Sequence, residues 1–478
     1  MMKHVIHGYE PSAPFHFFEE LCAIPRPSYH EAGVADYLEA FAKQHGLFCY
    51  RDATHNVLIK KPATKGREQE PPLLLQAHTD MVAEKNSDVI HDFYKEGVSL
   101  VQKENFLMAE GTTLGADDGY GVASILAVLA EAPSHPALEC LFTCAEEVGM
   151  DGARAFDFTR ITARRMLNLD AGAEREITIG CCGGLRTDAL IPVQAESCCG
   201  NGIAIRIGGL AGGHSGEDIH RGRANALALM GALLNELNTH MTVRIATLQG
   251  GDKDNAIPRE CESVIWVQDE KRAVTVLKNK AEALKNACAS PDDKGLYIQV
   301  GHAPFTSLLA PADTGRVLCV LCSKTGVLEL RASGDGIPQT SRNVASVRVL
   351  EQGARICVST RSHDPAGISH WRHEFGARVS EVGGTCSDRG AYPGWESEAD
   401  SALSRAWQQA YTRVTGKHAF TNVVHAGLEC GLISSALEGL VAISVGCDIF
   451  DMHTPKERMD LDSFRRFYLT LLAFLKSA

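Results

Sequence analysis

Apolar runs, or in one case a turn into a helix, that carry acidic or histidine side chains at their polar ends recur along the first part of the chain: LLLQAHTDMV (73–82), GTTLGADDGYG (111–121), ALECLFTCAEEVGMDGA (137–153) and MLNLDAGAE (166–174). A buried strand stopping at a polar tip is how an open α/β sheet delivers side chains to the rim where its strands finish. These segments offer His78, Asp80, Asp117, Asp118, Glu146, Glu147 and Asp170 to one rim. A later segment, CDIFDMHTPKERMD (447–460), adds His453.

The remaining pattern fills in the layers. PSAPFHFFEELCAI (11–24) predicts an amphipathic helix closed by Pro25 and Pro27. SYHEAGVADYLEAFAKQHG (28–46) predicts a second, with Ser28 as its cap and Gly46 at its end. NVLIKK (56–61) and LLLQA predict strands. Gly115 and Gly119 bracket Ala-Asp-Asp as a tight turn before the helix 120–132, which Pro133 and Pro136 end. LECLFTCA (138–145) and MLNLD (166–170) are further strands. Strands alternating with helices predict an α/β layer with a mostly parallel core.

After GCCGG (180–184) the texture turns β-rich, with GIAIRIGGL (202–210), MTVRIATL (241–248) and CESVIWVQ (261–268). The helices 224–238 and 272–287 separate some of these strands. A strand, polar turn, strand pattern at 243–267 is echoed at 328–352, either as two copies of a small α+β unit or by chance. From 393 the α/β texture returns, ending in the strand VAISVGC (441–447), His453 and a closing helix. The expected organisation is a catalytic domain in two parts, 1–186 and 391–478, interrupted by a second domain at 187–390.

Composition narrows the classes of function. The chain has 478 residues, a formal net charge of −12 and 22% charged residues, an ordinary globular balance that argues against a nucleic-acid-binding surface. The N-terminus has no apolar signal core, and SILAVLA (124–130) is too short to span a bilayer. The expected compartment is the cytoplasm, with no membrane partner. Sixteen cysteines form no regular disulfide ladder, and several lie in apolar runs as small hydrophobes. Cys319 and Cys322 form one isolated C-x-x-C, read as core packing or as a zinc or redox pair.

The rim residues suit a metal centre. Catalytic zinc takes histidine nitrogen and carboxylate oxygen and keeps a position open. Two ions sharing a bridging carboxylate need about five such ligands. His78, Asp117, Glu147, Asp170 and His453 supply them. Asp80, two residues from His78, can meet the other imidazole nitrogen and fix its tautomer. Glu146, beside Glu147, is placed to act as the general base. Zinc is the first choice, and manganese or cobalt suits the same donors.

These motifs also carry a resemblance. HTDMV, GTTLGADDGYG, CAEEVGMDGA, LNLD followed by IGCCGG, GGHSGEDIHRGRANA, DNAIPRE, HAGLECG and MHTPKERMDLDS resemble the di-zinc metallopeptidase family that includes the aminoacyl-histidine dipeptidases, aminoacylase and carnosinase. The resemblance runs from IPRPS (24–28) to the last helix. It implies a mostly parallel-sheet di-zinc peptidase domain with an inserted α+β domain used as a lid and in dimer contacts, and hence a homodimer. It implies that Asp117 bridges the metals, that His78 and His453 bind one each, and that Glu147 and Asp170 complete the set. Glu146 would be the base and Asp80 the orienting acid. His214 would hold the scissile carbonyl oxygen, within one chain or across a dimer interface. Asn255 and Arg361 would hold substrate, and Glu429 would pair with a free substrate amine unless it is an ordinary helix-start acid. One departure is Ala171-Gly172-Ala173 before Glu174, where the family pattern has a run of acids, and it bears on substrate preference.

The function expected is hydrolysis of dipeptides, with Xaa-His (including β-alanyl-histidine) preferred and others tolerated, by a metal-bridged hydroxide and a glutamate base. The alternative on the same metals is a deacylase of N-acyl amino acids. A metal-binding protein without catalysis would have lost the base or a ligand, and all are present.

Overall fold

The computed structural model describes residues 4–288, 290–350 and 352–477. They form two compact units, 1–181 with 395–423 and 428–478, and 182–394 with 424–427.

The first unit is built on a nine-stranded sheet among the described residues. Four parallel strands make its centre, in the spatial order Leu138–Thr143, Leu73–His78, Arg165–Ala171 and Val441–Gly446. Leu138–Thr143 and Leu73–His78 are buried along their whole length, which is why they read as mostly apolar rather than alternating, with Glu139 and Gln76 as buried exceptions. Antiparallel neighbours flank them, Val57–Lys61 on one side and Glu176–Cys181 on the other. His78 lies directly beside Thr143, and Gln76 beside Asn168, so the three strands end in step. Parallel strands ending in step put their following turns on one edge, which is the rim the sequence pattern anticipates.

Helix Ala116–Glu131 follows the Gly115 turn and is buried almost all round. Helices Ala402–Thr415 and Leu461–Ser477 present apolar stripes to the core, where Trp407 meets Phe467 and Phe474. The helix expected from Ser28 begins instead at Ala32, and Ser28 is not its cap. Its hydroxyl donates to Asp80 Oδ2 at 2.7 Å, a tertiary partner that outcompetes the local one.

The second unit is an antiparallel sheet, running in space from Tyr297–Leu309 through Ala195–Gly208, Cys261–Val267, Val243–Gly250 and Pro338–Leu350 to Gly353–Ser362, Gly183–Ile191 and Thr385–Tyr392. Helices Ala226–His240, Pro311–Leu321 and Pro365–Glu381 contribute to its apolar core. Both arms of the echo fold as antiparallel pairs, but within this one sheet, where Val243–Gly250 and Pro338–Leu350 are neighbours. Glu351, within the expected second arm, lies outside the described residues, as does Ala478, the last residue of the expected closing helix. All sixteen cysteines are free thiols, Cys319 half-buried and Cys322 exposed.

Candidate active site

The rim of the first unit collects its side chains from five chain segments. His78 is the last residue of its strand and is 1% exposed. Its Nε2 lies 3.1 Å from Asp117 Oδ1 and 3.8 Å from Asp170 Oδ1. Its Nδ1 faces the other way, 3.4 Å from Asp80 Oδ1 and 3.2 Å from the Asp80 carbonyl. Nε2 is thus the nitrogen turned to the carboxylates, and Nδ1 is held by Asp80. His453 approaches from the far end of the chain, with Nε2 3.0 Å from Asp117 Oδ2 and 3.1 Å from Glu147 Oε1. Asp117 therefore has one imidazole against each of its oxygens.

Asp80 organises more than the histidine. Its carboxylate accepts the backbone N–H of Glu146 at 3.0 Å and of Glu147 at 3.2 Å, besides the Ser28 hydroxyl. One buried carboxylate so ties the His78 ring to the turn that carries both glutamates. Asp118 stands apart from its neighbour. Its oxygens accept N–H from His78 at 3.2 Å and Gly121 at 3.1 Å, which commits it to the backbone although it lies close to His78 and Asp170.

So many acids at one rim repel. Burial, then the charges of neighbouring carboxylates, pushes Glu146 and Asp170 well above the ordinary carboxylate range. Burial acts the same way on Asp117, but hydrogen bonds from His453 and His78 overcome it and hold Asp117 well below. Burial opposes charge on the two histidines, yet Asp117 and its acidic neighbours hold His78 well above the usual imidazole range and push His453 up to about 12. Two imidazoles and three carboxylates converging in this way are nitrogen and oxygen donors of the kind zinc takes, and a divalent cation offsets the repulsion among the carboxylates. His78, Asp117 and Glu147 present ligand atoms within 4.8 Å of one another, so the residues fit a metal ion.

Beneath the rim lies a buried polar chain. Asn168 Nδ2 donates to Gln76 Oε1 at 2.6 Å, and Gln76 Nε2 donates to Glu429 Oε2, also at 2.6 Å. The Thr143 hydroxyl donates to the same carboxylate oxygen at 2.7 Å. Glu429 begins the helix Glu429–Ala436 and is fully buried, with its Oε1 lacking a hydrogen bond. Burial, partly offset by the nearby His78 charge, raises its carboxyl to about 7. Glu174, which follows the Ala-Gly-Ala departure, is engaged elsewhere. Arg466 holds it at 2.7 and 2.6 Å.

His214, Asn255 and Arg361 belong to the second unit. There the segment around His214 bridges that around Asn255, with the Ser215 N–H on the Asn255 carbonyl at 2.7 Å. Arg361 is 6% exposed on the strand Gly353–Ser362 and donates from Nη1 to the Tyr392 hydroxyl at 2.5 Å. A Cβ on Gly216 would stand 3.2 Å from both Arg361 Nε and His214 Cε1, so glycine lets the two come together. His425 joins this group, with Nε2 2.7 Å from the Ser341 hydroxyl. Burial and then the charges of His363 and Arg361 push His425 down to about 3, so it stays neutral. Sequence reasoning passed over His425, although HAGLECG contained it. It also named neither Arg26 nor Glu457, both buried beside the Asp117 turn.

Fold and site together define a metal-dependent peptide hydrolase, and comparison with known proteins agrees. Residues 74–477 match Peptidase family M20/M25/M40, and the chain belongs to that family. It is 34% identical over 474 residues to the cytosol non-specific dipeptidase of Escherichia coli K12, covering 98% of this chain and 97% of that one. The crystal structure of aminoacylhistidine dipeptidase from Vibrio alginolyticus superposes with a TM-score of 0.81 at 32% identity, covering 98% of this chain and 97% of that chain. Human carnosine dipeptidase 1 shares the fold, with a TM-score of 0.52 at 10% identity over 97% of this chain and 96% of that one. The protein is thus a metallopeptidase of the dipeptidase type.

Proposed function

We propose that this enzyme hydrolyses dipeptides with a free amino terminus, preferring Xaa-His and including β-alanyl-histidine, on a pair of divalent ions. The observation that carries the reading is Asp117, whose two oxygens each face an imidazole at 3.0 to 3.1 Å. That is the arrangement a shared carboxylate ligand requires. His78, Asp170, Glu147 and His453 would complete the ligand set, with zinc the first choice and manganese or cobalt suited to the same donors.

When bound, such ions supply Lewis-acid charge and lower the pKa of water from about 15.7 to about 7. The protein does the rest. Glu146, whose backbone N–H is fixed by Asp80, takes a proton from the attacking water and returns it to the leaving amine. Asp80 keeps the His78 Nδ1 proton in place, so that Nε2 stays turned to the metal side. His214 would donate to the carbonyl oxygen as charge develops there. Arg361 and Asn255 would hold the substrate carboxylate, and Glu429, with an acceptor oxygen to spare, the amine. The second unit would serve as lid and as the dimer contact of a cytoplasmic homodimer. The names of the two full-length relatives support the dipeptide and histidine parts of this reading.

The test is release of histidine from β-alanyl-histidine by zinc-loaded protein, with an N-acetylated dipeptide run alongside. Cleavage of the free-amine substrate alone supports the proposal. Cleavage of the acetylated one alone moves the enzyme to the deacylases.

A further inference from the structure

The turn 114–117 presents four backbone N–H groups in the same direction, and no side chain of its own caps the helix that follows. Such amides, buried and unpaired, are costly. Glu457 meets them all: Oε2 accepts from Leu114 at 2.8 Å and Gly115 at 3.1 Å, and Oε1 from Ala116 at 2.8 Å and Asp117 at 3.4 Å. It arrives from 340 residues away and is 2% exposed. The carbonyl side of the same turn is held by Arg26, also 2% exposed. Its Nη2 donates to the Gly115 carbonyl, while Nη1 donates to the carbonyls of Thr79 at 3.0 Å and Asp80 at 3.1 Å.

Gly115 is therefore gripped from both ends of its peptide dipoles, an anion on the N–H and a cation on the C=O. The two glycines of GADDG follow from this contact. A Cβ on either Gly115 or Gly119 would come within 2.6 Å of Arg26 Nη2. The same two side chains join three ligand-bearing segments. Arg26 ties the segment after His78 to the Asp117 turn. Glu457 ties that turn to the segment after His453, closed by its own N–H to the Thr454 carbonyl at 3.0 Å.

We propose that Glu457 and Arg26 are positioning residues of the metal centre, a clamp that holds the Asp117 turn in register with the segments bearing His78 and His453. The proposal rests on the metal-centre reading above. Neither residue touches a reacting atom. Each acts by holding the backbone from which ligands project, as outer partners do at metal sites.

The experiment titrates the chelator-stripped full-length protein with zinc by calorimetry, for the unmutated chain, Glu457→Gln and Arg26→Lys. The glutamine has the same shape but puts an NH₂ against two of the four amides, and the lysine keeps charge without the fork that reaches three carbonyls. Both variants should keep native circular dichroism while zinc affinity falls ten- to a hundredfold, a loss of the size outer-shell changes produce. In the zinc-saturated variants kcat should fall with KM little changed. Unchanged zinc affinity in a folded variant overturns the clamp and leaves the metal centre standing. Failure of both variants to fold also overturns it, since the residues would then serve the fold alone. An unmutated chain that binds no zinc removes the metal-centre reading, and the clamp with it.

Discussion

His453 Nε2 stands 3.0 Å from Asp117 Oδ2, across a separation of 336 residues in sequence. His78 takes the other oxygen of the same carboxylate. In the proposed metal pair a carboxylate shared in this way would serve both ions, whereas Asp170 and Glu147 would each serve one. Asp117→Asn is accordingly expected to lose most of both metal equivalents after dialysis, and Asp170→Asn about one. Elemental analysis of the dialysed proteins separates the two. Equal losses would remove the bridging role.

Glu146 is the proposed proton carrier. Glu146→Gln should bind metal as tightly as the unmutated chain and lose about 10²- to 10⁴-fold in kcat, the usual worth of a positioned general base. Metal content and steady-state kinetics measured on one preparation decide it. A variant that keeps its turnover places the base elsewhere.

Loading the site should release protons. His453, pushed up to about 12, and His78, held well above the imidazole range, carry protons at pH 7 in the metal-free protein. Metal ligation requires the neutral ring. Zinc added to weakly buffered protein with a pH indicator should therefore acidify the solution, and zinc affinity should rise with pH. No acidification would mean the histidines are not ligands.

Glu429 makes the metal-free fold sensitive to pH. Its carboxyl is raised from 4.5 to about 7. The stability it contributes is therefore complete below about 4.5 and is lost as pH rises through 7, a loss of roughly 3 kcal/mol. Glu429→Gln should abolish that dependence. The difference between the two proteins in urea unfolding at pH 5 and pH 8 isolates the term, and parallel curves would refute it.

Arg361 is buried with one fork on Tyr392. Lysine keeps the charge but not the planar donors that grip a carboxylate. Arg361→Lys should raise KM about tenfold or more for a dipeptide, with a smaller effect on kcat. A changed kcat at constant KM would argue for a role in the chemical step.

Much of this was legible in the residues themselves. The central strands are buried on both faces, so LLLQA and LECLFT read as mostly apolar rather than alternating, and their polar tips marked the rim. The strands of the second unit were harder. Tyr297–Leu309 and Thr385–Tyr392 lie at opposite ends of their sheet with few or no buried positions, so a buried apolar face announces them only weakly. Helix Pro365–Glu381 carried a readable signal, Asp364 capping Ala366 N with Pro365 at the first turn, and it was passed over.

The donor types at the rim, two histidines and a set of acids, were determined by the sequence, because ligand chemistry belongs to side chains and the strand period is local. Tertiary structure alone decided which acids face the metal side and which are spent on backbone. Asp117 and Asp118 are adjacent and identical in type, yet one meets two imidazoles and the other two peptide N–H groups. Ser28, Arg26 and Glu457 act on partners dozens to hundreds of residues away, most of them backbone groups. All residues but proline carry the same amide and carbonyl, so a hydrogen bond to them does not name its distant partner in the sequence, even where glycines such as Gly115 and Gly119 make room for it.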